Sequence, residues 1–216
     1  MKFAISLVLL NIFMISFSQS DTLKLPNPQT TGGKPLMEAL KDRQSQRNFD
    51  PKREISDQIL SNLLWAANGI NRPETGNRTA PSAVNWQEID IYISLKTGTY
   101  KYLHKEHALL KINSKDLRNG IGKQEFTGIA PLNFVYVADY SRMGSATSSK
   151  EFYAATDCGF VAQNVYLFCA SEGLATVVLG AIDREKICEM LDLNNNQHVV
   201  LCQTIGYPVE EFEEAE

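Results

Sequence analysis

Two arginines and a serine, spaced two residues apart, are the first group whose types could do chemistry. Arg43, Ser45 and Arg47 lie in the stretch DRQSQRNF. In an extended chain the three side chains share one face, and on a helix the two arginines still do. Two guanidinium groups and a hydroxyl can together bind a phosphate group. A solvated, positively charged helix end gives the same pattern, and this segment taken alone favours that interpretation.

A second candidate segment combines small and amide side chains just before a predicted strand. Pro81, Ser82 and Ala83 are followed by Asn85. Small side chains let a backbone approach a flat ligand, and an amide can meet the donors and acceptors of that ligand. An ordinary turn leading into a strand has the same composition, so the segment alone leaves both interpretations open.

A third candidate lies at the end of a long apolar stretch that is predicted to be helical. Glu172 and Gly173 stand at its exit. Glycine commonly ends a helix, which is the simpler interpretation. The same position can also present backbone N–H groups to a ligand.

The remaining reactive residue types give weaker signals. His104 and His107 flank Lys105 and Glu106, which indicates a solvated loop, and the pattern predicts no metal site. The motifs of serine hydrolases, zinc peptidases, phosphate-binding loops and EF hands are absent from the sequence.

The cysteines predict buried thiols and no disulfide framework. Cys158 and Cys169 lie on one predicted helix, and eleven residues of helix separate their Cα atoms by ~16 Å. A disulfide needs less than about 7 Å. Cys188 and Cys202 lie in apolar surroundings, where a thiol packs as a small hydrophobic group.

Composition describes an ordinary folded protein whose first residues stand apart. The chain has 216 residues, 44% of them hydrophobic and 21% charged, with a net charge of -4. This balance argues against a broad nucleic-acid surface. Residues 1–20 have the charged start, apolar run and small-residue exit of a secretory signal peptide. We therefore expect export, to the periplasm or outside the cell, with no stable membrane anchor.

The hydrophobic patterns that must position the three candidate segments predict an α+β fold in a single domain, 21–216. The domain begins with an extended lead-in, 21–34, and ends with an acidic tail, 209–216. Predicted helices cover 36–43, 55–70, 151–171 and 183–191, with a further helical stretch near residue 117, and predicted strands cover 89–95, 99–103, 134–138, 176–179 and 199–205.

Taken in order, these segments resemble the nitroreductase-like family of FMN-dependent oxidoreductases over roughly residues 36–208. The resemblance rests on 43–49, which is similar to an R-x-S-x-[RK]-x-F element, and on 64–69 with 71–73, which is similar to a helix and its following loop. It rests also on 81–87 and on 157–174, whose last residues, Ser171-Glu172-Gly173-Leu174, are similar to an E-x-G-L-type exit. The stretch 98–102, with 107–109 after it, looks most like the SagB-type branch, which includes thiazoline and oxazoline oxidases. The family implies a mainly antiparallel central sheet flanked by helices, in a homodimer with FMN at the subunit interface.

The resemblance also implies a role for each candidate. Arg43, Ser45 and Arg47 would bind the FMN phosphate, ribityl chain and pyrimidine edge. Pro81, Ser82 and Ala83 would line the isoalloxazine ring, and Asn85 would hydrogen-bond the ribityl chain or the ring. Backbone N–H groups of Glu172 and Gly173 would face flavin N5 and O4, where such a donor stabilises developing negative charge.

The activity implied is electron transfer through flavin, from NAD(P)H to a small organic acceptor such as a nitro compound or a quinone. Two alternatives stay open: flavin-dependent oxidation of a heterocycle or C–N bond, as in the SagB branch, and flavin binding without catalysis. The sequence departs from the family after residues 206–208, where acids follow instead of a basic residue. Either Arg72 or Arg78 would have to complete the phosphate site, or FMN would bind weakly.

Overall fold

The computed structural model describes residues 21–144 and 149–210. The predicted signal peptide at 1–20 and positions 211–216 of the acidic tail lie outside these ranges. The strands are β1 (Thr22–Lys24), β2 (Ile70–Arg72), β3 (Asn77–Arg78), β4 (Ile89–Leu95), β5 (Gly98–Leu103), β6 (Ala108–Asn113), β7 (Leu132–Asp139), β8 (Ala175–Leu179) and β9 (Gln197–Gly206). The helices are α1 (Leu36–Asp42), α2 (Asp57–Asn68), α3 (Arg118–Ile121), α4 (Phe126–Ile129), α5 (Lys150–Glu172) and α6 (Arg184–Met190).

Seven strands form one sheet in the order β1-β6-β5-β4-β7-β9-β8. Every neighbouring pair in this sheet is antiparallel. The two strands predicted at 89–95 and 99–103 form a hairpin, in which β4 pairs with β5 and Ile93 lies opposite Tyr100. Strands β2 and β3 form a small separate hairpin.

Strand β7 is apolar along almost its whole length because both faces of the sheet are covered. Phe134 and Tyr136 belong to the hydrophobic core on one face, whereas Val135 and Val137 belong to the core on the other. Alternate side chains of a strand point to opposite faces. Helices α2 and α5 pack against the first face, and α3 and α6 contribute to the second.

The two long helices begin and end at residues that the sequence marks clearly. The Ser56 hydroxyl accepts the N–H of Ile59 and caps α2, and Gly69 follows the last residue of that helix. Helix α5 ends at Gly173, whose φ of +68° is left-handed, a conformation that favours glycine. These ends set the position of the segments that follow them.

The α+β class and the mainly antiparallel sheet are confirmed. The predicted helices and strands are present within a few residues of their expected bounds. Strand β6, the β2–β3 hairpin and α4 were not predicted, and residues 22–24 of the lead-in form strand β1, which pairs with β6 at the edge of the sheet. Cys158, Cys169 and Cys202 are buried, and all four thiols are free. Within the described ranges, no helix is both long and apolar enough to cross a membrane.

Candidate functional site

The Arg43 segment, residues 43–47, leaves the end of α1 and runs beside α5. The Arg43 guanidinium lies 5.4 Å from the centre of the Tyr166 ring. Ser45 Oγ and the Tyr166 hydroxyl are 2.8 Å apart, and this hydroxyl also accepts the N–H of Val178 at 2.9 Å. The N–H of Gln46 donates to the carbonyl of Thr176 on β8 at 3.0 Å. The segment is thus joined to the sheet by its backbone and to α5 by side chains.

The charges of Arg43 and Arg47 have no carboxylate partner among the described residues. Neither arginine forms an ion pair with any residue in 21–144 or 149–210. Arg47 is exposed and Arg43 half-buried. Since a guanidinium group binds phosphate through paired N–H donors, the donor set of this segment, with the Ser45 hydroxyl, fits the phosphate end of FMN.

A cleft of about 180 Å³ adjoins this segment and reaches the end of α5, where Gly173 lines it with Gln46 and Tyr166. The N–H of Gly173 donates to the carbonyl of Cys169 within the helix end. Glu172 is exposed, and its carboxylate accepts the Ser171 hydroxyl at 3.2 Å. The predicted role of Glu172 and Gly173 as flavin-facing donors stays a prediction, but the geometry assigns the Gly173 N–H to the helix.

The Pro81 loop, residues 81–87, is strained and anchored at its centre. Val84, Asn85 and Gln87 have φ of +51°, +57° and +52°, which costs of order 1–3 kcal/mol for each residue. The N–H of Ala83 donates to Asp157 Oδ2 on α5 at 2.8 Å, and the N–H of Gln87 donates to Ser82 Oγ at 2.9 Å. These bonds hold a backbone shape that the residue types would not choose alone.

Asn85 bonds within its own neighbourhood. Its amide nitrogen donates to Asn77 Oδ1 at 3.0 Å, and its amide oxygen accepts Gln87 Nε2 at 3.1 Å. Val84, between Ala83 and Asn85, is 85% exposed. The small side chains of Ser82 and Ala83 therefore border an open surface, which fits the approach of a flat ring.

Buried charge lies beneath the Pro81 loop, and composition gave no hint of it. The Asp90 carboxylate is 2.7 Å from Lys101 Nζ and 2.7 Å from an Arg142 nitrogen. Arg142 also donates to the carbonyls of Gln87 and Glu88, at 2.9 and 3.0 Å. The end of the loop is thus fixed by an arginine that is itself held by Asp90. Burial alone would raise the pKa of Asp90. The charges of Arg142 and Lys101, and the hydrogen bond that each forms with Asp90, outweigh this effect and lower the pKa.

Arg72 and Arg78, the two candidates for completing a phosphate site, are both engaged inside the chain. Arg78 donates to the carbonyls of Gln87 and Ile89, and burial lowers its pKa to about 10. Arg72 donates to the carbonyl of Arg78 and to Asn71. The prediction that Arg78 could complete the site is therefore not supported by its position. Arg43 and Arg47 are the better-placed cations.

The predicted loop is present and exposes Lys105 and Glu106, but the two histidine side chains do not lie in solvent. The side chain of His104 is 8% exposed, its Nδ1–H donates to the carbonyl of Asn68, and burial lowers its pKa to about 3. His107 Nε2 lies 2.8 Å from Ser61 Oγ, and His107 Nδ1 lies 2.7 Å from the Tyr102 hydroxyl. Because Ser61 donates its own proton to the Pro26 carbonyl, His107 donates from Nε2 and accepts at Nδ1. No short-range pattern marks these partners.

The Arg43 segment and the Pro81 loop meet the same helix at different points. Tyr166 contacts the Arg43 segment and Asp157 contacts the Pro81 loop. Nine residues of helix separate Tyr166 from Asp157, which corresponds to ~14 Å along the axis. Large apolar side chains are exposed on α1, on α5 and in the Pro81 loop. These are Leu36, Met37, Leu40, Val84, Phe152, Tyr153 and Phe160.

Comparison with known proteins agrees with the fold and the order of these segments. The profile of the Nitroreductase family matches residues 40–207. The chain therefore belongs to the nitroreductase family, and it is an oxidoreductase.

Individual relatives extend this match to nearly their full length. The nitroreductase-like protein MJ1384 of Methanocaldococcus jannaschii is 30% identical over 88% of this chain and 99% of its own. The NAD(P)H nitroreductase-like protein YdgI of Bacillus subtilis is 26% identical over 82% and 90%. A crystal structure of a nitroreductase-like protein of Ralstonia eutropha superposes with a TM-score of 0.84 and 41% identity, over 88% of this chain and 91% of that one.

Proposed function

We propose that this protein is an FMN-dependent oxidoreductase that passes electrons from NAD(P)H to a small organic acceptor such as a nitro compound or a quinone. Family membership supports the class of reaction. The observation that supports FMN as the cofactor is the donor set of the Arg43 segment. Two guanidinium groups, which have no carboxylate partner in the described ranges, lie beside a serine hydroxyl. The flavin would supply the redox chemistry, by taking up and releasing electrons.

The side chains of this chain would bind and orient the cofactor. Arg43, Arg47 and Ser45 would hold the phosphate end through charge-assisted hydrogen bonds. Ser82 and Ala83 would let the ring approach the backbone of the Pro81 loop. Asp157 keeps the N–H of Ala83 turned inward, toward α5.

A homodimer would bring the two halves of the site together. Within one chain the Arg43 segment and the Pro81 loop contact α5 ~14 Å apart along its axis. A second copy would cover the exposed apolar side chains of α1, of α5 and of Val84. Sedimentation of the purified protein tests this, and a monomer that still binds FMN would contradict the shared site.

A visible absorption spectrum of the purified chain from residue 21 onward is the first test of the cofactor. We expect a yellow protein whose flavin is released by denaturation as FMN rather than FAD. A colourless protein that takes up no added FMN would refute the proposal. Bound flavin that no donor reduces would indicate a flavin-binding protein without turnover.

The direction of electron flow needs its own measurement. We expect anaerobic NADH or NADPH to bleach the flavin absorbance within the first seconds after stopped-flow mixing. The acceptors would then restore the absorbance. Failure of both nicotinamides, with reduction by a heterocyclic or C–N substrate instead, would favour the SagB-type activity.

We also propose that the protein is exported, on the strength of residues 1–20. Expression of the full chain with its natural start, followed by fractionation and mass measurement, tests this. The expected product lacks about twenty residues and lies outside the cytoplasm. An intact chain that stays in the cytoplasm would contradict export without affecting the enzymatic proposal.

A further inference from the structure

Two carboxyl groups, those of Glu88 and Asp157, lie beneath the Pro81 loop. Within the described ranges, neither is paired with a cation from its own part of the chain. Glu88 is fully buried, and Asp157 is 2% exposed. Within the described residues, neither oxygen of Glu88 accepts a hydrogen bond from another residue's N–H or O–H. Hydrogen bonding to Asp157 and the charge of Asp157 add to the effect of burial in raising the pKa of Glu88. Two carboxyl groups can share a hydrogen bond only if one of them carries a proton.

Asp157 has a second partner, and that partner is in the loop. Its Oδ2 accepts the N–H of Ala83 at 2.8 Å, across 74 positions of the sequence. Ala83 is followed directly by Val84, a β-branched residue at φ +51°, where such side chains are rare. A strained backbone persists only where its surroundings hold it. At this end of the loop, the holding group is Asp157.

We infer that Asp157 is a positioning residue that fixes the Pro81 loop through the N–H of Ala83, and that Glu88 keeps Asp157 in place by donating one shared proton to it. The inference rests on the proposed function only in giving the loop a flavin to face. Its structural content, the coupling of a buried proton to the loop, stands without the cofactor.

The surroundings of Glu88 determine how the pair responds to pH. The charged and titratable groups that act on it are Asp157 and Cys158 of α5, Arg142 after β7 and Arg78 of β3. Arg142 is itself paired with Asp90 of β4. Burial is the main cause that raises the pKa of Glu88, to about 7, and Asp157 adds to it while Arg142 opposes it. Loss of the shared proton above this pH leaves two buried carboxylates side by side. Asp157 is then repelled from the position in which it holds Ala83.

Hydrogen exchange of the peptide that covers 81–87, followed by mass spectrometry on the protein without added flavin, tests the anchor directly. We expect Asp157→Ala to speed exchange at the Ala83 amide at least tenfold. Asp157→Asn keeps an oxygen acceptor and should change it less than threefold. Val165→Ala, at a buried position of the same helix, is the matched control and should leave the loop's exchange unchanged. Equal exchange in Asp157→Ala and the wild type would overturn the positioning role.

The shared proton is tested by pH. After correction for intrinsic exchange, loop exchange of the wild type should rise severalfold between pH 6 and 8. Glu88→Gln, whose amide donates to Asp157 at every pH, should give a flat profile, and so should Asp157→Asn. A rise of equal size in Glu88→Gln would overturn the role of Glu88, even if Asp157 anchors the loop.

Flavin titration separates this inference from the proposed function. With FMN, Asp157→Ala should raise Kd about tenfold and Asp157→Asn less than threefold. If no form of the protein binds FMN, the proposed function fails while the exchange experiment still decides the anchor. If FMN binds equally to all forms and the exchange rates also agree, the inference fails and the proposed function stands.

Discussion

The Arg43 segment and the Pro81 loop are built in opposite ways. The first is open: its arginines have no ion pairs within the described ranges, and only Gln46 joins its backbone to β8. The second is strained and held from beneath by Asp157 and Arg142, which are tied to buried carboxylates. An open cationic segment can change with little cost to folding, whereas a loop held by buried charge is part of what keeps the fold intact.

The largest effect is expected at Asp90, which supports the Pro81 loop through Arg142. Asp90→Asn leaves Lys101 and Arg142 without their shared carboxylate, and we expect a loss of about 3 kcal/mol in the free energy of unfolding. Urea unfolding measures it. The matched control is Asp116→Asn, which removes the more exposed pair with Arg118 and should cost less than about 1 kcal/mol. Equal losses in the two variants would remove the distinction between the regions.

The second largest effect is a pH dependence of the free energy of unfolding, which arises from Glu88 beneath the Pro81 loop. Because burial raises the pKa of Glu88 to about 7, the folded protein binds this proton more tightly than the unfolded chain does. Its contribution to stability is complete below about pH 4.5 and is lost as pH rises toward 7, with a slope of at most about 1.4 kcal/mol per pH unit. Glu88→Gln should remove that part of the slope in urea unfolding series. Glu106→Gln, at an exposed position, should leave the slope unchanged. A slope that is unchanged in both variants would contradict the assignment of the pH dependence to Glu88.

A smaller effect, on binding rather than folding, is expected at the Arg43 segment. Arg43→Ala or Arg47→Ala should each weaken FMN binding by about tenfold, because each removes a charge-assisted hydrogen bond. Stability should change by less than about 0.5 kcal/mol. Riboflavin, which has no phosphate, should bind the variants and the wild type equally in fluorescence titrations. Arg53→Ala, which removes a cation stacked on Tyr207, is the matched control. Equal losses for FMN and riboflavin would show that these arginines do not contact the phosphate.

The smallest effect is expected at an ion pair on the surface next to the Arg43 segment. Lys34 Nζ lies 2.7 Å from an Asp42 oxygen, and both side chains are more than a third exposed. Water and salt screen such a pair. We expect Lys34→Ala to leave the urea midpoint unchanged at 0.15 M salt. A clear shift would mean that this side of the molecule is held by charge after all.

Sequence patterns predicted the parts of the fold that depend on near neighbours. Helix α2 and strands β4 and β5 lie where the hydrophobic patterns predict them, although β4 is buried along nearly its whole length because both faces of the sheet are covered. The order of motifs pointed to the family, which the comparisons confirm. The bond from Ala83 to Asp157 and the burial of His104 join positions far apart in the chain. No local spacing carries such information, so His104 was predicted to lie in solvent.

Strand β1 has a consequence for how the chain can be shortened. It runs antiparallel to β6 at the edge of the sheet, and the N–H of Lys111 donates to the carbonyl of Asp21 at 2.8 Å. A chain that begins after residue 25 would leave the outer backbone groups of β6 unpaired. An unpaired edge of this kind recruits strands from other molecules. The three residues of β1 therefore protect the edge of the sheet from pairing with strands of other molecules.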